Sequence, residues 1–226
     1  TDEVLKRLDS YHRLRSFIRL EDSILHIGER SLDLNEYGRV YVFCAGKASN
    51  NMARAFEDIL GDRITRGVVI VKIKEDTDVF KHTEVYVGGH PLPTEGSIEG
   101  SKRMLEIADR MEPDDLFLVG LSGGCTALMG YPVEGITLEE MQQATDVMLK
   151  AGMWVMDIND VRGHLCRMNR GRLGQRIRKG TQIECFEIWD AVGLDDMHDY
   201  TRPLPVMGTP VGSDPVTFED IRRILR

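Results

Sequence analysis

No stretch of this chain approaches the roughly 20 consecutive apolar residues of a helical membrane span, and no secretory leader is expected from its composition. Its cysteines are few and scattered: Cys44, Cys125, Cys166 and Cys185 stand singly, with no CxxC pair. That spacing argues against a zinc ribbon and against a disulfide framework, and reduced thiols suit a cytoplasmic chain. Positive charge is in deficit. Lys and Arg number 29 against 37 Asp and Glu, a net charge of −8. Nonspecific attraction to nucleic acid or to an anionic membrane surface is therefore not expected. The two common nucleotide fingerprints, GxGxxG and GxxxxGK[ST], are also missing.

What remains is an ordinary globular balance, 42% hydrophobic and 29% charged over 226 residues. A chain of this length can bury about 70% of its unfolded surface, so it needs no covalent staple. Residues 1–226 read as a single domain without repeats.

Short apolar runs alternate with helical patterns. The periodicity predicts a helix from Asp2 to Ile18 and a short β-like stretch at Ile24–Ile27. Strands follow at Val40–Cys44, Gly67–Val71, Glu84–Val87, Leu116–Leu121 and Cys185–Trp189. Between them lie predicted helices at Ala48–Leu60, Ser97–Met111 and Leu138–Asp157, with a terminal helix at Thr217–Leu225. Strands alternating with helices imply an α/β fold with a mostly parallel sheet, and continuous apolar runs imply strands covered on both faces.

In open α/β sheets, ligands bind beyond the carboxyl ends of the strands. Two loops fall there. Ala45-Gly46-Lys47 follows the first strand of the alternating series, and Ser122-Gly123-Gly124-Cys125-Thr126-Ala127-Leu128 follows the run ending at Leu121. The glycines permit close backbone approach, and the N–H groups opening the next helix are donors for an anion, with Ser122 and Thr126 adding hydroxyls. The loop reads either as an anion cradle or as a bare strand–helix turn. Lys47 is either a point charge for phosphoryl or carboxylate oxygen, or a solvated lysine in an unfavourable first-turn position. Cys125 at a helix start is also open to a thiolate reading.

A basic cluster stands out in this acidic chain: Arg162, Arg167, Arg170, Arg172, Arg176, Arg178 and Lys179, with His164 among them. Some of these arginines could face an anionic substrate, although a solvated charge is the commoner role. Asp190 follows the last predicted strand, where a carboxylate can hold Mg²⁺.

Taken in order, Ala45-Gly46-Lys47-Ala48, Gly89-His90-Pro91-Leu92-Pro93, Ser122 to Leu128, Gly135-Ile136-Thr137-Leu138-Glu139, Ile158-Asn159-Asp160-Val161-Arg162-Gly163-His164-Leu165 and Gly212-Ser213-Asp214-Pro215-Val216-Thr217-Phe218 resemble the N-terminal region of the glycerate 2-kinase (MOFRL) family, whose older label is hydroxypyruvate reductase-like. The resemblance covers about residues 24–226. It implies a Rossmann-like three-layer α/β/α domain, with the family's C-terminal MOFRL domain not represented. It also implies phosphorylation of D-glycerate at the 2-hydroxyl, or of a similar small hydroxy acid, with ATP and Mg²⁺.

Carried onto these residues, Lys47 and Arg162 are catalytic. Gly46, Ser122, Gly123, Gly124 and Thr126 hold the nucleotide phosphates, His90 and His164 meet the glycerate-like anionic substrate, and Asp190 holds the metal. The chain departs from the family pattern at Cys125, where a glycine is usual, and at Gly163, where a lysine is usual. It departs again at Met168-Asn169-Arg170-Gly171, where Ile-Lys-Gly-Gly is usual. A non-catalytic anion-binding or assembly module of the same fold is the alternative. Its expected partner is a second copy of the chain or the missing domain.

Overall fold

The structure, a computed structural model, describes residues 9–188, 209–212 and 216–226. The first element among the described residues is a helix at Ser10–Phe17, capped by the Asp9 side chain, which accepts from the His12 amide. A small antiparallel sheet follows: β1 (Ile18–Glu21), β2 (Ile24–Ile27) and β3 (Arg30–Asp33), with β2 in the middle. The predicted helix thus ends one residue earlier than expected. Ile18 leaves it to pair with Ile27, and β-branched Ile18 packs at 2% exposure in the core below. Pairing across the sheet outweighs local helix propensity there.

The main sheet has five strands, all parallel: β4 (Val40–Ala45), β5 (Ile64–Val71), β6 (Thr83–Val87), β7 (Leu116–Ser122) and β8 (Gln182–Ile188). Their order is β6-β5-β4-β7-β8. The central strands β4 and β7 are buried at every position, which is why they read as unbroken apolar runs.

Alternate residues of these strands feed two separate cores. Tyr41, Phe43, Phe117, Val119 and Leu121 pack with Met104 and Leu105 of the Glu95–Ala108 helix on one face. Val42, Cys44, Leu116 and Leu118 pack with Met52 and Phe56 of the Ser49–Leu60 helix on the other. This is the expected three-layer α/β/α arrangement. Phe43, Phe56 and Phe117 are wholly enclosed, and burying each contributes about 1.5–3 kcal/mol.

The long helix anticipated at 138–157 is two helices, Leu138–Lys150 and Val155–His164. Gly152 breaks it: at φ 68° it takes the left-handed conformation, and the Gly152 and Met153 amides close back onto Leu149 and Met148 carbonyls. The first of the pair starts at a capping box in which Thr137 and Glu140 satisfy each other's amides. The helix expected to open at Cys125 is a single turn, Cys125–Leu128, and a second short helix, Arg172–Arg176, was not anticipated. The last strand runs Gln182–Ile188, earlier than predicted, and Trp189 lies outside the described residues. Among the described residues no helix is long and apolar enough to cross a membrane.

Candidate anion-binding site

The sheet order reverses between β4 and β7. β4 leads outward to β5 and β6, and the chain then returns to place β7 on its other side. At such a reversal the loops that follow the two strands lie side by side at the carboxyl edge of the sheet. Gly46 directly follows β4, and Ser122 ends β7. Gly46 has φ 131°, and a Cβ on it would lie 2.2 Å from Ser122 Oγ and 2.5 Å from the Ser122 carbonyl oxygen. Only glycine lets the two strand ends close this tightly. The seam is then stitched: the Lys47 amide donates to the Gly123 carbonyl at 2.9 Å, and the Ala48 amide donates to Ser122 Oγ at 3.0 Å. Buried Ser49 anchors the other side, donating to the Gly46 and Ile70 carbonyls.

Gly124 forms the floor of the crevice. It has φ 86°, and a Cβ there would lie 2.7 Å from His90 Cδ2, 2.9 Å from His90 Nε2 and 3.5 Å from Lys47 Cε. The lysine stem, the imidazole and the diglycine bend therefore share one space. The Gly123 and Gly124 amides meet no carbonyl acceptor among the described residues. Two such amides close to a lysine stem suit oxygen atoms that carry negative charge. The helix that follows is a single turn, Cys125–Leu128. A single turn supplies little helix dipole to this loop.

Behind the floor lies Arg162, only 7% exposed. Its Nη1 donates to the Pro91 carbonyl at 3.2 Å, and its Nη2 to Thr126 Oγ1 at 2.9 Å and to Asn159 Oδ1 at 2.6 Å. One guanidinium thus ties the 88–94 loop, the loop after β7 and the Val155–His164 helix together. Thr126 itself donates to Asn159 Oδ1, and the buried Asn169 amide donates to the Thr126 carbonyl. The Arg162 Nε is buried without a partner, and no carboxylate pairs with Arg162 among the described residues. Burial depresses the guanidinium's pKa below the usual arginine value. A charge held out of water without a counter-ion is costly and projects a positive potential into its surroundings.

The other predicted residues are placed as follows. Ser122, Gly123, Gly124, Gly46, Lys47 and His90 meet at the crevice, and Thr126 and Arg162 lie immediately behind it. His164 lies on a different side: its Nδ1 is 2.9 Å from the Asp160 carbonyl oxygen, and its ring meets Phe218 edge-on at 4.9 Å. Asp190 lies outside the described residues. Among the described residues no three His, Cys, Asp or Glu side chains gather as a metal site. The cradle fits phosphate oxygens, and no chain ligand for Mg²⁺ is assigned.

Most of the basic cluster is structural. Arg176 pairs with Asp109 and Arg178 with Glu112 at the surface. Arg167 stacks over Tyr131, and Arg172 closes the carbonyl end of the Val155–His164 helix through the Gly163 and His164 oxygens. The thiolate reading of Cys125 is overturned: burial, with Glu187 nearby, pushes its thiol up to about 12. Sequence reasoning missed Asn159 and the Pro91 carbonyl. The Asn159–Arg162 spacing of three, one face of a helix, was the available signal for the first. A backbone acceptor leaves no signal in sequence.

Known families and proteins share this sequence and fold. The family model described as a domain of unknown function, DUF4147, matches residues 1–226. The chain belongs to the DUF4147 family. Among this family's relatives, the glycerate 2-kinase of Pyrococcus horikoshii is 36% identical over 223 residues, covering 99% of this chain and 48% of that protein. The D-glycerate 2-kinase of Thermotoga maritima is 34% identical over 187 residues, covering 83% of this chain and 43% of its own length. A crystal structure of a P. horikoshii protein superposes with a TM-score of 0.81 at 33% identity, over 99% of this chain and 48% of that one. The T. maritima glycerate kinase structure gives 0.69 at 34% identity, over 83% and 43%. The chain spans about half the length of the curated relatives it matches. Relatives from Agrobacterium vitis, 28% identical, carry the hydroxypyruvate reductase name.

Proposed function

We propose that this DUF4147 chain forms the anion-binding face of an ATP-dependent kinase acting on D-glycerate, at its 2-hydroxyl, or on a similar small hydroxy acid. One observation carries the reading: Lys47 and His90 lie over Gly124 at the point where the strand order reverses. The names of the P. horikoshii and T. maritima relatives support the choice of substrate.

Phosphoryl transfer asks a protein mainly for positioning and for charge stabilisation. ATP with Mg²⁺ supplies the phosphoryl group and part of its neutralising charge. The Gly123 and Gly124 amides and the Ser122 loop cradle phosphate oxygens, and Lys47 balances their charge. His90, held beside Lys47, is placed to donate to an oxygen of the acid substrate. Arg162 keeps Thr126 and the 88–94 loop in register and gives the pocket a positive background that favours a carboxylate.

Incubating the chain with D-glycerate, ATP and Mg²⁺ and following phosphoglycerate by phosphorus NMR tests this reading. Turnover supports it. ATP binding without turnover assigns the chain to the alternative, an anion-binding or assembly module built on the same fold. Failure to bind ATP or D-glycerate at all removes the kinase and anion-binding readings and leaves assembly alone.

A further inference from the structure

Arg170 takes an unusual conformation for its residue type. Its φ is 59°, in the left-handed region that favours glycine, and among the described residues only Asp22 is another non-glycine with positive φ. It is nonetheless 4% exposed. Its aliphatic stem crosses directly over Gly163: a Cβ on that glycine would lie 2.1 Å from Arg170 Cδ and 2.5 Å from Cγ. Only glycine leaves room for the crossing in this arrangement. Beyond it, Arg170 Nη1 pairs with Asp160 Oδ1 at 2.6 Å, with the arginine side chain 2% exposed.

Three unfavourable features thus converge on one outcome: a strained backbone, an obligatory glycine and a buried charge. That outcome is a cation fixed on the Val155–His164 helix, paired with the residue that lies next to Asn159 and two residues from Arg162. Arg172, two residues on, fastens the carbonyl end of the same helix. The segment 170–172 therefore grips the last turn of this helix from the side and from the end.

We propose that Arg170 is a positioning residue for the anion site, reaching through the gap at Gly163 to hold Asp160 and so set the angle at which Asn159 and Arg162 meet Thr126. This rests on the reading of the crevice as the site of a glycerate-like acid. Residues 163 and 170 then form one unit, in which a side chain at either position excludes a long side chain at the other.

Two measurements test it. The first is a thermal-unfolding cycle of Gly163→Ala, Arg170→Gly and the double variant. A large drop in Tm for Gly163→Ala alone, and little further drop in the Arg170→Gly background, supports the shared space. Equal drops in both backgrounds overturn it.

The second is calorimetric titration of the chain with D-glycerate and, separately, with ATP–Mg²⁺. Arg170→Lys should bind D-glycerate as the wild type does, whereas Arg170→Leu, which keeps part of the stem and loses the charge, should bind it at least about tenfold more weakly. ATP–Mg²⁺ affinity should follow the same pattern, lowered in the leucine variant and kept in the lysine variant, because Thr126 serves the phosphate cradle as well. Wild-type-like D-glycerate binding by the leucine variant overturns the positioning role, and so does equally weak binding by the lysine variant. A wild-type chain that binds no D-glycerate overturns the underlying reading of the crevice and this role with it.

Discussion

Lys47 lies across Gly124, with its Cε 3.5 Å from where a Cβ on that glycine would stand. The ring of His90 closes the same space from the other side at 2.7 Å. A basic stem, an imidazole and a bare stretch of backbone are thereby held together by three loops, of which those carrying Lys47 and Gly124 are 77 residues apart in sequence.

Gly124→Ala should separate backbone strain from site geometry when it is compared with Gly135→Ala. Both glycines have φ 86°, but a Cβ on Gly135 would meet nothing within 4 Å. Each substitution should cost about 1–2 kcal/mol in urea denaturation for the left-handed backbone. Only Gly124→Ala should also weaken ATP–Mg²⁺ binding, by about tenfold or more. Equal affinities in the two variants would remove His90 and Lys47 from the site.

Arg162→Met should change stability little and ligand response greatly. Losing the bonds to Pro91, Thr126 and Asn159 leaves buried acceptors unsatisfied, at about 1–3 kcal/mol for each group. Removing an uncompensated buried charge offsets much of that. The ligand-free variant is expected within about 1 kcal/mol of wild type in urea denaturation, because these two effects are of similar size. Inorganic phosphate should raise the wild-type Tm by more than the variant's, since the amides and Lys47 remain in both. An equal rise in both would show that the guanidinium contributes no attraction for anions.

Cys125 should make the chain less stable at alkaline pH. Its thiol holds its proton up to about 12 in the folded state, whereas an unfolded cysteine loses it at about 8.5. Between those values the unfolded state binds fewer protons, so stability falls as pH rises through the window. The contribution is fully present below about pH 8.5 and is lost towards about 12. Tm followed from pH 8 to pH 10.5 should fall less steeply in Cys125→Ala than in wild type. Cys125 should also resist iodoacetamide at neutral pH, and rapid alkylation would restore the thiolate reading.

Much of the architecture was legible because both-face burial writes itself as unbroken apolar runs. Val40 to Ala45 and Leu116 to Leu121 could be read directly as central strands. The two strand-end loops were legible for a related reason, since Gly46 and Gly124 stand where no side chain fits. The signals that failed were those decided by distant contacts. Ile18 looked helical until its pairing with Ile27 was known. Gly152, inside an apparently continuous helical period, gave no hint of its left-handed turn. The basic cluster looked like one surface but divides into surface ion pairs, a helix-end clamp and two buried arginines, because burial depends on which face each helix turns to the sheet.

The most direct measurement of the central claim is calorimetric titration of ATP–Mg²⁺ into the wild-type chain and into Lys47→Met, at low and at physiological salt. Lys47→Met keeps an unbranched apolar stem over Gly124 and removes the charge. The account predicts at least about tenfold weaker binding in the variant, with the gap narrowing as salt rises because the lysine is exposed. Equal affinity of the two proteins at low salt would contradict it.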